Sequence, residues 1–522
     1  MRSGFNRRRL LAGALSLPAL HWLGASGIQA AVAAEGPELG PPQPFGFDRL
    51  REAARLSATR PYLQPTIRFA DVLEKIDYDA YQQIRFRPDH ALWTESGSYP
   101  VQLFHLGRYF KAPVALHVVA EGMAREVLYS PDLFTFGEAE FASGLPADLG
   151  FAGFRVMERG QKSDWLAFLG AAYFRSSGAL DQYGQSARGV AIDTALSTPE
   201  EFPRFTDFWL EPSAANPNAV IIYAMMDSPS IAGAFRIEAA KQEGVVMHVQ
   251  AELFPRLDIK RMGVAPLTSM FWFGESNRHR ATDWRPEVHD TDGLALWTGS
   301  GERIWRPLNN PPTVMTNSFV DSNPKGFGLI QRDRSFANYE DDGVFYHRRP
   351  SVWVEPLEPW GEGAVQLVEI PTDDEIHDNI VAYWVPKEPV RAGSEWSFSY
   401  RLHWLAEEPY PLSTGHVIAT RIGRGGIPGQ PRPEGKKKFV IDFAGGTLEA
   451  LKKPDPVEPV ISASRGLVDN VYALQVVGTK RWRAFFDLAV DGQEPVDLRC
   501  HLRLGDRTLT ETWLYQYIPF EF

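Results

Sequence analysis

Period-two alternation of apolar and polar residues dominates this sequence after one early helical segment. Residues 47–56 carry apolar positions at helical spacing and predict a helix. Residues 235–239 and 245–253 alternate instead and flank the turn-like residues 241–244, which predicts a β-hairpin. Because no strand–helix–strand spacing follows, we expect the large first part of the chain to form an antiparallel β-sandwich.

A proline-punctuated polar stretch divides the remaining alternation into two parts. We predict a first domain over residues 35–385, a linker over 386–393 and a second domain over 394–522. The short alternating strands of the second domain are typical of an immunoglobulin-like sandwich. Residues 423–438 are rich in Gly, Pro and Lys, and we expect this loop to be mobile and to reach across an opening near the junction.

Composition narrows the classes of partner. The formal net charge is −11, and the basic run that lies outside the N-terminal segment, Lys436–Lys438, is short, which disfavours nucleic acid. Most of the fifteen tryptophans must belong to the core, but a surplus of exposed Trp and Tyr would suit flat sugar faces. The single cysteine, Cys500, excludes a disulfide framework and lies on the apolar face of a predicted strand, as a buried structural thiol does.

The N-terminus has the order of an export signal. Residues 7–9 are arginines, an apolar run extends to Leu23, and small residues end near residues 31–33. This order predicts a signal peptide over residues 1–34, removed on export to the periplasm. The paired arginines before Leu-Leu favour the twin-arginine route, which carries folded proteins; an ordinary secretory signal is the alternative. No later segment predicts a membrane anchor.

Two acidic clusters, residues 285–293 and 373–380, each place an aspartate beside a histidine and lead into an apolar segment. Glycosidic bonds are usually cleaved by two carboxyl groups, so the clusters are candidates for catalysis. The same residues would also suit solvated turns. Neither cluster has a recognised metal-ligand spacing, so we expect no metal, and no Gly-x-Ser-x-Gly motif indicates a serine hydrolase.

Several long segments carry a family resemblance. The chain resembles the OpgG/OpgD (MdoG/MdoD) family of periplasmic glucan biosynthesis proteins, and its twin-arginine start is similar to the OpgD branch. The segments that carry the resemblance are residues 78–89, 168–175, 186–189, 265–271, 306–311, 326–329, 349–356 and 378–381.

The resemblance implies a fold, an activity and a set of site residues. The fold is a large galactose-mutarotase-like sandwich followed by a smaller immunoglobulin-like one, and the activity is inverting cleavage of β-1,2-glucan without a cofactor. Asp378 would be the general acid and Asp290 the general base. Glu375 would be a supporting acidic residue, and Tyr346 a candidate proton relay.

The resemblance leaves the outcome of the reaction open. Hydrolysis, transglycosylation and ring closure differ only in the acceptor that the site admits. A non-catalytic β-1,2-glucan-binding scaffold is the alternative from another class, and a sugar epimerase or lyase is a third, which rests on fold alone. The polymer is the expected partner, and a homodimer is left open.

Overall fold

The computed structural model describes residues 36–94, 97–137, 144–427 and 429–521. The predicted signal peptide lies outside these residues. Within them strands far outnumber helices, so the prediction of an all-β fold is confirmed. Among the helices of the described residues, none is both long and apolar enough to cross a membrane. The helices are Phe47–Ala58, Ala70–Lys75, Tyr78–Gln83 and Phe336–Tyr339, with short 3₁₀ turns at Pro88–His90, Pro131–Leu133, Arg278–Arg280, Tyr346–Arg348 and Gly446–Ala450.

Two large sheets pack face to face and enclose the main core. In spatial order the larger sheet contains Gln43–Pro44, Met123–Glu126, Ala115–Ala120, Arg204–Pro212, Ala219–Asp227, Ile231–Lys241, Val245–Pro255, Trp396–Leu405, Ser351–Pro356, Gly326–Ile330, Gly293–Trp297, Arg303–Pro307, Thr512–Tyr517, Val496–Leu504 and Glu458–Ala463, with Arg507–Thr508 paired to Val496–Leu504. The second sheet contains Met315–Ser322, Glu362–Glu369, Ile380–Pro386, Met262–Ser269, Ser186–Arg188, Tyr173–Ser176, Asp164–Leu169, Phe151–Met157 and Val101–His105, with Val190–Ile192 paired to Met262–Ser269. Two two-stranded ribbons are separate from these sheets. They pair Phe271–Phe273 with Val288–His289 and Arg85–Phe86 with Phe134–Thr135.

The local predictions agree with these elements. Strands Ile231–Lys241 and Val245–Pro255 form the expected antiparallel hairpin. The second of them alternates between buried and half-buried residues, because one face lies against the core. Helix Phe47–Ala58 covers the predicted segment and buries Leu50 and Ala54 beside Phe254 on the sheet.

A smaller sandwich follows at the C-terminal end. Its four-stranded sheet contains His416–Arg424, Lys436–Ala444, Trp482–Ala489 and Leu467–Gln475. This sheet packs against the last strands of the larger sheet, where the ring of Phe439 meets that of Trp513 at a centroid distance of 6.3 Å. Cys500 lies in this core and is completely buried, as predicted.

The boundary between the sandwiches differs from the prediction. Strand Trp396–Leu405, predicted to open the second domain, pairs with Val245–Pro255 on one side and Ser351–Pro356 on the other. Residues 386–393 therefore form a turn within the first sandwich, and the boundary follows residue 405. Alternation and a polar proline-rich stretch predict a strand after a turn, but they do not show which sheet the strand joins.

The two sandwiches share one continuous sheet. Strand Arg303–Pro307 of the first pairs in parallel with Thr512–Tyr517 of the second. Beside this seam Arg332 donates hydrogen bonds to the carboxylates of Glu408 and Glu511, the latter at 2.6 Å, while its guanidinium stacks 3.7 Å from the Trp305 ring. The seam is therefore held by backbone pairing and by a buried ion-pair network.

A second buried charge cluster lies at the same seam. His289 contacts Glu287 through Nε2 at 3.0 Å, and its Nδ1 lies 3.5 Å from Asp292. Glu275 accepts a hydrogen bond at 2.8 Å from the backbone of Thr420, in the smaller sandwich. Burial alone would lower the pKa of His289, but the surrounding carboxylates raise it to about 9.

Burial has the opposite effect on the acids of this cluster, because it raises their pKa values. It raises the pKa of Glu275 to about 8, with the charge of Glu287 adding to the effect, and it raises the pKa of Asp292 to about 6. The cluster therefore favours the folded state most when its histidine and these acids are protonated.

This cluster predicts a loss of stability at alkaline pH. A raised pKa stabilises the fold fully below the unfolded-state value and stops doing so above the folded-state value, which is a window of 6.5 to about 9 for His289. We expect the free energy of unfolding to fall by about 3 kcal/mol between pH 6.5 and 9.5, measured by urea titration at each pH. His289→Gln should flatten this slope, whereas His501→Gln, outside the cluster, should not. An unchanged slope in His289→Gln would contradict the assignment.

Candidate active site

A cavity of about 1660 Å³ opens on the second large sheet. Strands Phe151–Met157, Asp164–Leu169 and Tyr173–Ser176 supply one wall, and residues 342–345, 348–349 and 377–379, which lie in loops and a short 3₁₀ turn and which we call the rim, also line it. Pockets for small molecules measure roughly 300–1,000 Å³, so this volume suits a larger molecule such as an oligomer.

Asp378 is the predicted site residue that lines this cavity directly. It lies just before strand Ile380–Pro386, where the amide of Asn379 fixes the chain by accepting from the backbone of Phe271 at 2.8 Å and donating back to it at 2.9 Å. Its carboxylate is 12% exposed and lies 3.4 Å from the guanidinium of Arg175. The structure therefore presents an ion-paired carboxylate to the interior of the cavity.

Asp290 lies behind the wall of the cavity and does not line it. Its side chain is buried and ion-paired with Arg349, which does line the cavity. Burial raises the pKa of Asp290; the charge of Arg349 opposes this shift, and that of Asp378 adds to it. The two predicted aspartates are thus close enough to interact electrostatically, but Arg349 connects Asp290 to the cavity.

Tyr346 and Glu375 form a hydrogen-bonded pair next to Arg349. The Tyr346 hydroxyl donates to the Glu375 carboxylate, and the Arg349 guanidinium lies 4.4 Å from the centre of the Tyr346 ring. Burial raises the pKa of Tyr346, with Arg349 opposing, so the phenol keeps its proton and remains a donor. Asp290, Arg349, Tyr346 and Glu375 therefore form one continuous chain of contacts.

Arg285 binds three carboxylates that belong to different loops. Its guanidinium donates to Asp283 at 2.9 Å, to Asp341 at 2.6 Å and to Glu375 at 2.9 Å. Arg285 and Asp341 are both buried, so each charge depends on the other. This arginine therefore links three loops, two of which supply lining residues to the cavity a few positions further along the chain.

The structure thus joins Asp290, Tyr346 and Glu375 through Arg349, while Asp378 pairs with Arg175 and interacts with Asp290 through its charge. Sequence reasoning missed these arginines. Arg175 and Arg349 lie within segments that carry the family resemblance, and Arg285 opens the first acidic cluster. Their partners lie far away in the sequence, so no local pattern marks them. Among the described residues, no group of three or more His, Cys, Asp and Glu side chains is arranged to hold a metal ion.

The cavity surface combines aromatic rings with charged groups, and its tryptophan content differs from the expectation. No tryptophan of the described residues lines it. The rings come from phenylalanine and tyrosine, among them Tyr109, Phe110, Tyr173, Tyr183, Phe202 and Phe345. Most tryptophans of the described residues fill the cores, as predicted, and the buried ones are Trp165, Trp305, Trp353, Trp360, Trp384, Trp404, Trp482 and Trp513.

The predicted lid, residues 423–438, is shorter in the structure and attached to its own sandwich. Strands His416–Arg424 and Lys436–Ala444 extend into it and leave 425–435 as the loop. Gly426 donates its backbone N–H to Asp487 at 3.0 Å, and Arg432 donates to the carbonyl of Gly425 at 2.9 Å. None of its described residues lines the large cavity, contrary to the prediction that the loop reaches across the opening.

Comparison with known proteins gives one consistent family. The model of the family described as "Periplasmic glucan biosynthesis protein, MdoG" matches residues 45–517. Glucans biosynthesis protein D 2 of Ralstonia nicotianae is 55% identical, over 99% of this chain and 98% of that protein. Glucans biosynthesis protein D of Stenotrophomonas maltophilia is 50% identical over 92% and 91%, and that of Xanthomonas oryzae pv. oryzae is 49% identical over 97% and 95%.

Solved structures add little to this result. A galactose mutarotase related enzyme from Lactobacillus acidophilus is 8% identical and covers 49% of this chain and 96% of its own, with a TM-score of 0.23. A polysaccharide lyase is 8% identical and covers 71% and 45%, with a TM-score of 0.19. Scores this low carry no argument about fold or function.

The three-carboxylate contact of Arg285 yields a prediction about stability. We expect Arg285→Ala to lower the free energy of unfolding by about 3 kcal/mol, because Asp341 would remain buried without a cation. Urea unfolding at pH 7 measures this change. The matched control is Arg391→Ala, which breaks an exposed pair with Asp258 and should change the value by less than about 0.5 kcal/mol. Equal effects of the two variants would contradict the role of Arg285.

Proposed function

The chain belongs to the MdoG family of periplasmic glucan biosynthesis proteins, and from this premise we propose that it is an inverting enzyme that acts within β-1,2-glucan. The single observation that carries the proposal is Asp378, a carboxylate presented to a cavity large enough for several sugar rings. A second carboxylate, Asp290, lies behind the same wall. Two carboxyl groups are what most glycosidic bond cleavage requires.

In the proposed reaction Asp378 gives a proton to the glycosidic oxygen that leaves. Its carboxylate is 12% exposed and lies 3.4 Å from the guanidinium of Arg175, so a sugar chain that enters the cavity would meet both groups.

Asp290 takes up the proton from the attacking oxygen in this proposal. Because Asp290 does not line the cavity, the proton has to travel through intervening hydroxyl groups or water. We propose Tyr346 as one member of this path, because its ring lies 4.4 Å from the guanidinium of Arg349, which is ion-paired with Asp290. The charge of Arg349 opposes the rise in the pKa of Asp290 that burial causes, and so favours the charged form that can accept a proton. Inversion requires space for the nucleophile between the acid and the base. Two aspartates that act from separate positions would leave that space.

The nature of the acceptor sets the product. Water would give hydrolysis, whereas a sugar hydroxyl would give an α linkage, and the far end of the same chain would close a ring. The family name places its members in the periplasm, and we propose export of the folded chain by the twin-arginine route from the paired arginines at residues 7–9.

A non-catalytic glucan-binding scaffold is the second candidate. The burial of Asp290 behind Arg349 favours it, because a binding protein needs no second carboxylate in contact with its ligand. The two candidates differ in whether linear β-1,2-glucan is converted, which mass spectrometry and NMR of the products measure directly.

Asp378→Asn should abolish turnover while leaving the fold and glucan binding nearly unchanged. The amide has almost the same shape but cannot supply the proton, so we expect the rate to fall by about 10²–10⁴-fold. The measurement is product formation from linear β-1,2-glucan, followed by mass spectrometry. Asp258→Asn is the control, since it removes another arginine-paired aspartate at an exposed site and should leave the rate unchanged. Wild-type activity in Asp378→Asn would remove Asp378 from the mechanism.

Asp290→Asn should also lower the rate, by about 10²-fold or more, because no group would accept the proton. The wild-type enzyme should first form the α-anomer. Proton NMR or optical rotation during early turnover detects this anomer before it equilibrates. A β-anomer as the first product would mean retention, and would rule out the proposed pair of roles.

A further inference from the structure

Trp284 is exposed to a degree that is unusual for tryptophan. Its relative exposure is 72%, whereas six others are fully buried. Leaving so large an apolar surface in water gives no gain in folding stability. An exposed tryptophan of this kind commonly marks a surface that binds something.

The backbone beside Trp284 is fixed. The carboxylate of Asp283 accepts hydrogen bonds from both the backbone N–H and the Nε of Arg285, each at 2.9 Å. Arg285 itself is buried and also binds Asp341 and Glu375. The indole therefore projects from a rigid base, and binding a ligand there costs little conformational entropy.

The same base connects Trp284 to two loops that supply lining residues to the cavity. Arg285, the next residue, binds Asp341, whose neighbour Asp342 lines the cavity. It also binds Glu375, two residues before His377, which lines the cavity as well. Trp284 thus stands one residue from the side chain that joins two loops of the rim.

We propose that Trp284 is a sugar-binding platform outside the catalytic cavity, where it holds the part of a β-1,2-glucan chain that extends beyond the rim. This inference rests on the proposed function. The flat indole face matches the apolar C–H face of a glucose ring, and the partly exposed carboxylate of the adjacent Asp283 suits its hydroxyl groups. Chains long enough to reach the rim gain this contact, while short ones that fit within the cavity do not. The site therefore selects for polymer length.

A glucan fits this surface better than a second copy of the chain. A stable protein interface buries at least about 1,000 Å² around an apolar centre. Trp284 is instead a single exposed ring beside the partly exposed carboxylate of Asp283, which suits a narrow polar polymer.

The test measures glucan binding in the Asp378→Asn background, in which chains are not cleaved. Calorimetry with short and long linear β-1,2-glucans compares this parent with the additional change Trp284→Ala. We expect affinity for the long chain to fall by about tenfold and affinity for the short chain to stay the same. Trp284→Phe should recover part of the loss. Tyr472→Ala, at an exposed aromatic residue of the smaller sandwich, is the control and should change neither value.

Each other outcome overturns the inference in a distinguishable way. Unchanged long-chain affinity in Trp284→Ala would leave the proposed function intact and remove the platform. Equal losses for both lengths, or a changed melting temperature, would make Trp284 part of the cavity or the fold. A change in sedimentation mass would assign the surface to a second copy of the chain. If the parent binds neither glucan, the proposed function fails and the platform fails with it.

Discussion

Ion pairs between buried carboxylates and arginines hold the candidate active site together. An unpaired charge in a protein interior costs several kcal/mol, so each carboxylate beneath the cavity needs a cation nearby. Arg349 meets this need for Asp290, and Arg285 meets it for Asp341. Because the partners come from different loops, satisfying the charges also fixes the loops relative to one another. The geometry of the rim is therefore a consequence of charge neutralisation.

Local patterns predicted the strands and turns well because both depend on nearby residues. The hairpin of Ile231–Lys241 and Val245–Pro255 follows from alternation on either side of a short polar turn. The same reasoning misplaced the domain boundary, since Trp396–Leu405 alternates as any half-buried strand does. Its partners are strands more than forty residues away in the sequence. Sheet membership is decided by such distant pairing, which no local pattern contains.

The candidate site shows the same division between local and distant information. Its aspartates were identifiable from acidic clusters and from the family resemblance, whereas their surroundings were not. Arg349 lies 59 residues from Asp290, and Arg175 lies 203 residues from Asp378. Only the fold brings these pairs together, and the burial of Asp290 behind Arg349 follows from it. The sequence therefore indicated which residues to consider, and the structure assigned their contacts and their access to the cavity.

The continuous sheet has a consequence for how the chain is made. Ile304 pairs with Thr512, so the central sheet is finished only after nearly the whole polypeptide has left the ribosome. Contacts between residues this far apart in sequence form slowly, because a long loop must close first. Until then the unfinished strand edges are open to misassembly. The proposed twin-arginine route, which carries folded proteins, would let this slow closure occur in the cytoplasm, before the membrane is crossed.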